Sequence, residues 1–279
     1  MTTVGDALTQ ARRRGVDRLD AQLLLAQGLG RPRAWLLAHD DHVLTPPQSA
    51  AFAAAVERRA RGEPLAYIVG EKEFRGLLLA VDDRVLVPRP DTETLVAWAL
   101  ELLNAAPLAP LDAPQVVDLG TGSGAIALAV AQACPRARVC ALDASPDALA
   151  VARLNGQRLA LAVEWLPSHW WDGIGRRRFH LALSNPPYVA DDDHHLAALQ
   201  HEPQMALRAG PDGLDAIRAI VAGAADHLEP GGWLLLEHGH DQSAAVQALL
   251  RDAGFEAVQS RHDLAGIARC SGARAPRVP

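Results

Sequence analysis

The chain has 279 residues, of which 49% are hydrophobic and 22% charged, with a formal net charge of −6. That length allows one large domain or two modest ones with ample core, and it leaves a solenoid without support, since no internal repeat is visible. The acidic balance argues against a dedicated nucleic-acid binder, whose footprint is a basic excess.

Residues 1–19 carry charges throughout, which excludes the pattern of a secretory signal, and no apolar run approaches the ~20 residues that span a bilayer. Cys134, Cys140 and Cys270 are odd in number and lack metal-type spacing, so they read as reduced, partly buried thiols of a cytoplasmic protein.

To about Gly62 the pattern predicts helices. Leu19, Leu23, Leu24 and Leu25 give an apolar stripe, and an Ala-rich run over 50–61 begins near Pro47 in "LTPPQSAAF". Arg12 to Arg14 and the arginines within 58–61 read as solvated helix faces. After Pro64, "YIVGEKEFRGLLLAVDDRVLVPRPDTE" suggests hairpin-like strands, followed by an amphipathic helix over 91–104. The division expected from this is a helical domain with the start of the connecting hairpin over 1–75, and a second domain over 76–279.

Beyond Pro114 strands and helices alternate. Strands are expected at 115–119, 138–143, 163–166, 179–184 and 232–237, with helices at 123–133, 146–158, 214–228 and 242–253. That alternation predicts an α/β fold with a mostly parallel sheet covered on both faces. Segments 256–262 and 266–270 come without a helix between them and suggest an antiparallel hairpin at the sheet edge.

"VVDLGTGSGAIALAV" sets Gly120, Gly122 and Gly124 between an apolar strand and an apolar helix, where glycine lets the backbone turn sharply and a ligand approach it closely. Asp143 ends the next strand, placed to accept both hydroxyls of a ribose. A nicotinamide dinucleotide also satisfies this pattern. Asp118 tilts the reading toward S-adenosyl-L-methionine, because a carboxylate repels a pyrophosphate and welcomes an ammonium. Such an Asp can equally cap the turn that follows it.

"SNPPYVA" closes the fourth strand on the same edge. Two prolines stop the ladder and stiffen the turn that carries Asn185, Pro186, Pro187 and Tyr188. An amide nitrogen is a poor nucleophile because its lone pair is delocalised. Acceptance of its two N–H groups by the Asn185 side-chain oxygen and the Pro186 carbonyl would orient it, and Tyr188 would pack on its face.

"DLGTGSG" and "NPPY" resemble class I methyltransferases that act on planar amino groups. "PLAYIVGEKEF", "VLVPRPDTETLV", "SNPPYVADDDHHL", "EPQMALRAGPDGL" and "LEPGGWLLLEHGHDQ" narrow the resemblance to the bacterial release factor glutamine methyltransferases, over nearly the whole chain. The resemblance implies a Rossmann-like class I fold with a small N-terminal helical domain that recognises substrate. It implies methylation of the glutamine in the Gly-Gly-Gln loop of class I peptide chain release factors. Gly120, Thr121, Gly122, Ser123 and Gly124 then line the methionine part of the cofactor, with Asp143 on its ribose and Asn185 beside both cofactor and substrate. Trp170 is expected against the adenine, with Trp171 as its rival.

The segment Pro88 to Glu93 is expected to border the site with no assigned role for Arg89 or Glu93, and Glu202 either touches substrate or caps a turn. No metal is expected: His194 and His195, and the group Glu237, His238, His240 and Asp241, read as solvated loops. Methylation of a ribosomal protein glutamine, adenine methylation of DNA and a non-catalytic nucleotide sensor are the rival functions. Neither membrane nor direct nucleic-acid binding is expected.

Overall fold

Thr3 and Thr45 start two of the N-terminal helices in the same way: each threonine hydroxyl accepts from the N–H three residues on, and the side chain of that residue, Asp6 or Gln48, returns the bond. The computed structural model describes residues 1–277, and the chain divides into a unit Met1–Glu71 and a second unit beginning at Lys72.

The first unit holds α1 (Val4–Arg13), α2 (Arg18–Leu29), α3 (Arg33–Ala38), α4 (Pro46–Ala60) and α5 (Leu65–Val69). Its core gathers Val4, Ala7, Leu24, Leu25, Leu36, Phe52 and Val56. Leu19 and Leu23 of the expected stripe are exposed, and Ala21 with Leu24 and Leu25 carries the inner face of α2 instead. The arginine faces are partly paired: Arg14 with Glu57, Arg58 with Glu63 and Arg59 with Asp20. Tyr67, Ile68 and Val69, which open the segment read as strands, instead close a one-turn helix, Leu65–Val69, between Pro64 and left-handed Gly70. Five apolar residues are too few for periodicity to separate the two states.

A hairpin of β1 (Glu71–Phe74) and β2 (Leu77–Ala80) follows, turning on Arg75 and Gly76, which both have positive φ. Residues 81–89 then run without regular structure into a single 3₁₀ turn, Pro90–Thr92, and α6 (Glu93–Asn104). The alternating part contains β3 (Gln115–Leu119), α7 (Ala125–Ala133), β4 (Arg138–Asp143), α8 (Pro146–Leu159), β5 (Glu164–Pro167), β6 (Phe179–Ser184), α9 (Asp215–His227), β7 (Leu228–Glu237), α10 (Ser243–Asp252), β8 (Glu256–His262) and β9 (Ala268–Arg274).

Among the described residues these strands form one seven-stranded sheet in the order β5-β4-β3-β6-β7-β9-β8. The pairs from β5 to β7 are parallel, and β9 lies antiparallel between β7 and β8. Side chains alternate along the buried strands. Val116, Leu181, Leu183 and Leu235 meet the core that holds α6 and α7. Val117, Leu119, Ala182 and Leu236 meet the core that holds α9 and α10.

Chain order reverses at β3, which has β4 on one side and β6 on the other, and such a switch point opens a crevice at the carboxyl edge of the sheet. Register sets what lines that edge. Leu119 pairs with Leu142 and with Ser184, and Ser184 pairs with Leu236. The residues that follow, Gly120, Asp143, Asn185 and Glu237, therefore stand level on four neighbouring strands. Among the described residues no helix is long and apolar enough to cross a membrane.

Candidate active site

The loop after β3 turns through three left-handed glycines, Gly120, Gly122 and Gly124, at φ of 72°, 55° and 85°. The N–H groups of Gly120 and Thr121 both donate to the Leu142 carbonyl, at 2.9 and 2.8 Å, which ties the loop to the end of β4. Space as well as conformation demands glycine at two positions. A Cβ on Gly124 would lie 3.0 Å from the Trp165 ring, and one on Gly120 would lie 3.3 Å from the Trp170 ring. From below, the buried Asn155 amide donates to Ser123 O at 2.9 Å and to Ala80 O at 3.0 Å, joining loop and hairpin.

Asp118 does not face the crevice. It is fully buried under the loop, where its Oδ2 accepts from the Thr121 hydroxyl at 2.6 Å. Burial pushes its carboxyl up to about 7, against the lowering pull of Thr121. The reading in which this carboxylate greets a ligand ammonium is corrected: it braces the turn.

Asp143 does line the crevice. Its Oδ2 accepts from Gly122 N at 2.8 Å and its Oδ1 from Ser145 N at 2.9 Å, so two backbone donors aim the carboxylate. Burial raises its pKa while the same N–H groups oppose the rise. Each oxygen keeps a further lone-pair site for a ligand hydroxyl.

Trp170 and Trp171 go opposite ways. Trp170 has a φ of 47° and its indole lines the crevice against Gly120. Trp171 is buried in the α9 side of the core, donates from Nε1 to Ile220 O at 2.9 Å and stacks on His227 at 5.0 Å. The Ser168 hydroxyl fixes the turn between them, donating to Trp170 O at 2.7 Å and accepting from Gly173 N at 2.8 Å.

At the end of β6, Asn185 donates from Nδ2 to the Thr92 hydroxyl at 3.1 Å, while its Oδ1 is buried without a hydrogen-bond partner. Asn185 and Pro187 line the crevice and Pro186 is buried behind them. Tyr188 is half-buried and is not among the residues that line the crevice. Burial pushes its phenol up to about 12, among Glu237, Arg269, Arg89 and Asp91, so it stays neutral. The Gln242 amide holds its carbonyl at 3.1 Å.

The segment Pro88 to Glu93 has a function that sequence reading left open. Arg89 pairs with Glu202, whose other oxygen accepts from Val87 N at 3.1 Å. Asp91 lies 3.5 Å from Arg269 on β9, and Thr92 reaches Asn185. The segment is a brace tied to three parts of the active edge. Glu202 is thereby a buried anchor for it. These partners stand 113 and 93 positions apart in the chain, beyond any local signal.

Glu237 and His238, expected in a solvated loop, are buried at the end of β7. His238 is neutral, donating from Nδ1 to Gly239 O at 2.9 Å and accepting at Nε2 from the Ser271 hydroxyl at 2.8 Å. Asp193, His194 and His195 bring ligand atoms within 4.8 Å of one another on an exposed turn. There the Asp193 carboxylate is already engaged by the His195 N–H and ring, each at 2.8 Å.

Together these walls enclose a cleft of about 560 Å³, within the usual range for small-molecule sites. Arg84, Arg89 and Arg208 line it, and each is engaged by a carboxylate, from Asp82, Glu202 and Asp191 respectively. That arrangement suits a ligand with a ribose and a planar ring but no phosphate.

The family described as PrmC N-terminal domain matches residues 4–70, and the Methyltransferase small domain matches residues 100–210. The chain is 48% identical to the release factor glutamine methyltransferase of Bordetella pertussis over 275 residues, covering 98% of this chain and 99% of that one. It is 47% identical to the same-named protein of Pseudomonas aeruginosa, covering 90% of each. Among solved structures it resembles a methyltransferase from Pyrococcus furiosus, at TM-score 0.54 and 17% identity, over 81% of this chain and 100% of that one. It also resembles the Thermus thermophilus 16S rRNA N2 G1207 methyltransferase in complex with AdoMet and guanosine, at TM-score 0.53 and 21% identity, over 75% of this chain and 50% of that one. These two likenesses establish the class I methyltransferase fold.

Proposed function

The chain belongs to the release factor glutamine methyltransferase family, and from that premise we propose that it methylates the side-chain amide nitrogen of the glutamine in the Gly-Gly-Gln loop of class I peptide chain release factors, using S-adenosyl-L-methionine. The observation that carries the reading is the buried, unpartnered Oδ1 of Asn185 at the open edge of the sheet, level with Gly120 and Asp143. An acceptor held there answers the N–H of a primary amide.

The residues fit the cofactor. Gly120 to Gly124 let the methionine end approach the backbone, Asp143 receives the ribose hydroxyls, and Trp170 offers an indole face to the adenine. Bound there, S-adenosylmethionine supplies a sulfonium methyl to the glutamine Nε2, and one N–H proton leaves to solvent. The chain's own part is orientation. Asn185 Oδ1 and the Pro186 carbonyl accept the two N–H groups, which turns the nitrogen lone pair toward the methyl and favours positive charge on nitrogen. The rigid Pro186–Pro187 turn fixes these acceptors, and Tyr188 follows on the same turn, where movement of its ring on substrate binding would bring it against the face of the amide. A cytoplasmic setting belongs to the same reading, in keeping with three free, buried cysteines.

Radiolabelled methyl transfer to purified release factor tests the proposal, with a loop Gln-to-Ala release factor as control. Label on the wild-type substrate alone is expected. Equal labelling of both, or of neither, sinks it.

A further inference from the structure

We propose that Gln242 is a positioning residue: it clasps the far end of the turn that carries Asn185 and Pro186, and so holds their two acceptors in place for the substrate amide. The proposal rests on the functional reading above and deepens it. A turn of two prolines is stiff within itself, but neither Pro186 nor Pro187 has an N–H to tie it to the rest of the molecule. Its position is set at its two ends.

The near end is fixed by β6, where Ser184 pairs with Leu119 and with Leu236, and its hydroxyl donates to Leu119 O at 2.6 Å. At the far end stands Gln242. Its Nε2 donates to Tyr188 O at 3.1 Å, to Gly213 O at 3.2 Å and to Asp212 O at 3.3 Å. Its Oε1 accepts from Gly239 N at 2.9 Å. All four partners are backbone groups with fixed roles, since a carbonyl only accepts and an N–H only donates. The Gln242 amide therefore has one workable orientation, with two protons shared among three carbonyls.

The chain keeps space for this clasp. A Cβ on Gly213, whose φ is 70°, would lie 2.4 Å from Tyr188 O and 2.8 Å from Gln242 Nε2. One on Gly239 would lie 3.0 Å from Gln242 Oε1. A single side chain thus joins three loops at the carboxyl edge: the one after β6, the one that leads into α9 and the one after β7. Val189 N donates to Leu207 O and Ala209 N to Val189 O, each at 2.9 Å, which laces the first two loops to each other. Gln242 ties that pair to the end of β7 through Gly239. Arg208, Ala209 and Gly210 line the crevice, so slack at Gln242 would reach a wall of the cleft as well as the substrate turn.

Steady-state methyl transfer to release factor, with cofactor affinity read separately by calorimetry, tests the clasp. No transfer by the wild-type enzyme removes the functional reading and this proposal with it. Given wild-type transfer, Gln242→Met, which keeps the length and loses every polar bond, is expected to lower kcat about 10- to 100-fold, by analogy with loss of an outer partner at metal ligands. Cofactor affinity should hold. Gln242→Glu keeps an oxygen for Gly239 N but turns an anion on three carbonyls, so it should lose at least as much. A kcat close to wild type in Gln242→Glu makes the Gly239 bond sufficient and overturns the proposal.

The discriminating measurement is a double-mutant cycle, in which Gln242→Met costs less in the Asn185→Ala background than in the wild type. A full additional loss in that background marks a merely structural role and overturns the proposal. So does an unchanged kcat in Gln242→Met, or a parallel loss of cofactor affinity. If Gln242→Met melts below the assay temperature, Gln242→Glu is carried through the same cycle with the same criteria.

Discussion

Asn185, which lines the crevice, meets Thr92 at 3.1 Å across 93 positions of chain, and its side-chain oxygen is buried without a hydrogen-bond partner. Asn185→Ala is therefore expected to slow methyl transfer by about 10²–10³, as loss of one preorganised polar partner does at oxyanion-type sites. Cofactor binding should change far less. Tyr188→Phe should be mild and Tyr188→Ala severe, because the ring is half-buried and its phenol stays neutral. Near-wild-type turnover by Asn185→Ala at saturating substrates removes the loop from the chemistry.

The cofactor walls make separable predictions. Asp143→Ala should weaken S-adenosylmethionine binding by ~1.5–3 kcal/mol, the value of a charge-assisted hydrogen bond. Trp170→Ala should also weaken it while leaving the melting temperature nearly unchanged. Trp171→Ala should instead cost about 3–5 kcal/mol of stability, as for other buried aromatic truncations. Calorimetry and thermal melts read the two effects apart, and a reversal between the tryptophans contradicts the assignment.

Stability should depend on pH through two buried acids. Burial raises Glu237 from 4.5 and Asp118 from 3.8, each to about 7. A folded state that holds these protons longer than the unfolded chain is favoured at low pH. Their contribution is fully present below the unfolded values, declines as pH rises toward 7, and levels off above it. Glu237→Gln should flatten part of that decline in denaturant melts between pH 5 and pH 8. An identical slope in variant and wild type excludes Glu237 as a source.

The helical unit Met1–Glu71 has a core of its own and none of the expected site residues. We assign it to recognition of the protein substrate. Deleting it should preserve cofactor affinity and raise the Michaelis constant for intact release factor. Cofactor binding serves as the folding control, and equal activity of truncated and full-length enzyme rules the role out.

Much of this was legible in the amino-acid order because it is local. Strands expected at 115–119, 138–143 and 179–184 coincide with β3, β4 and β6, whose apolar runs end at Gly, Asp or Pro signals. The glycine triplet announced its turn, since left-handed backbone needs glycine at that spacing. The double proline announced a rigid stop after β6. Where a segment was too short to show a period, as at Leu65–Val69, the sequence left helix and strand degenerate and the flanking Pro64 and Gly70 decided.

What only the tertiary structure decided are orientations and distant partners. Asp118 stands next to the loop in sequence, yet the pleat turns it inward to Thr121. Adjacent tryptophans diverge where Trp170 itself takes a left-handed backbone conformation, so one lines the crevice and the other meets Ile220. The roles of Arg89, Asp91 and Thr92 depend on Glu202, Arg269 and Asn185, which come near only when β6, β7 and β9 assemble in register. A contact made only when the sheet assembles has no period and no local spacing, and the bond between Asn185 and Thr92 is of that kind.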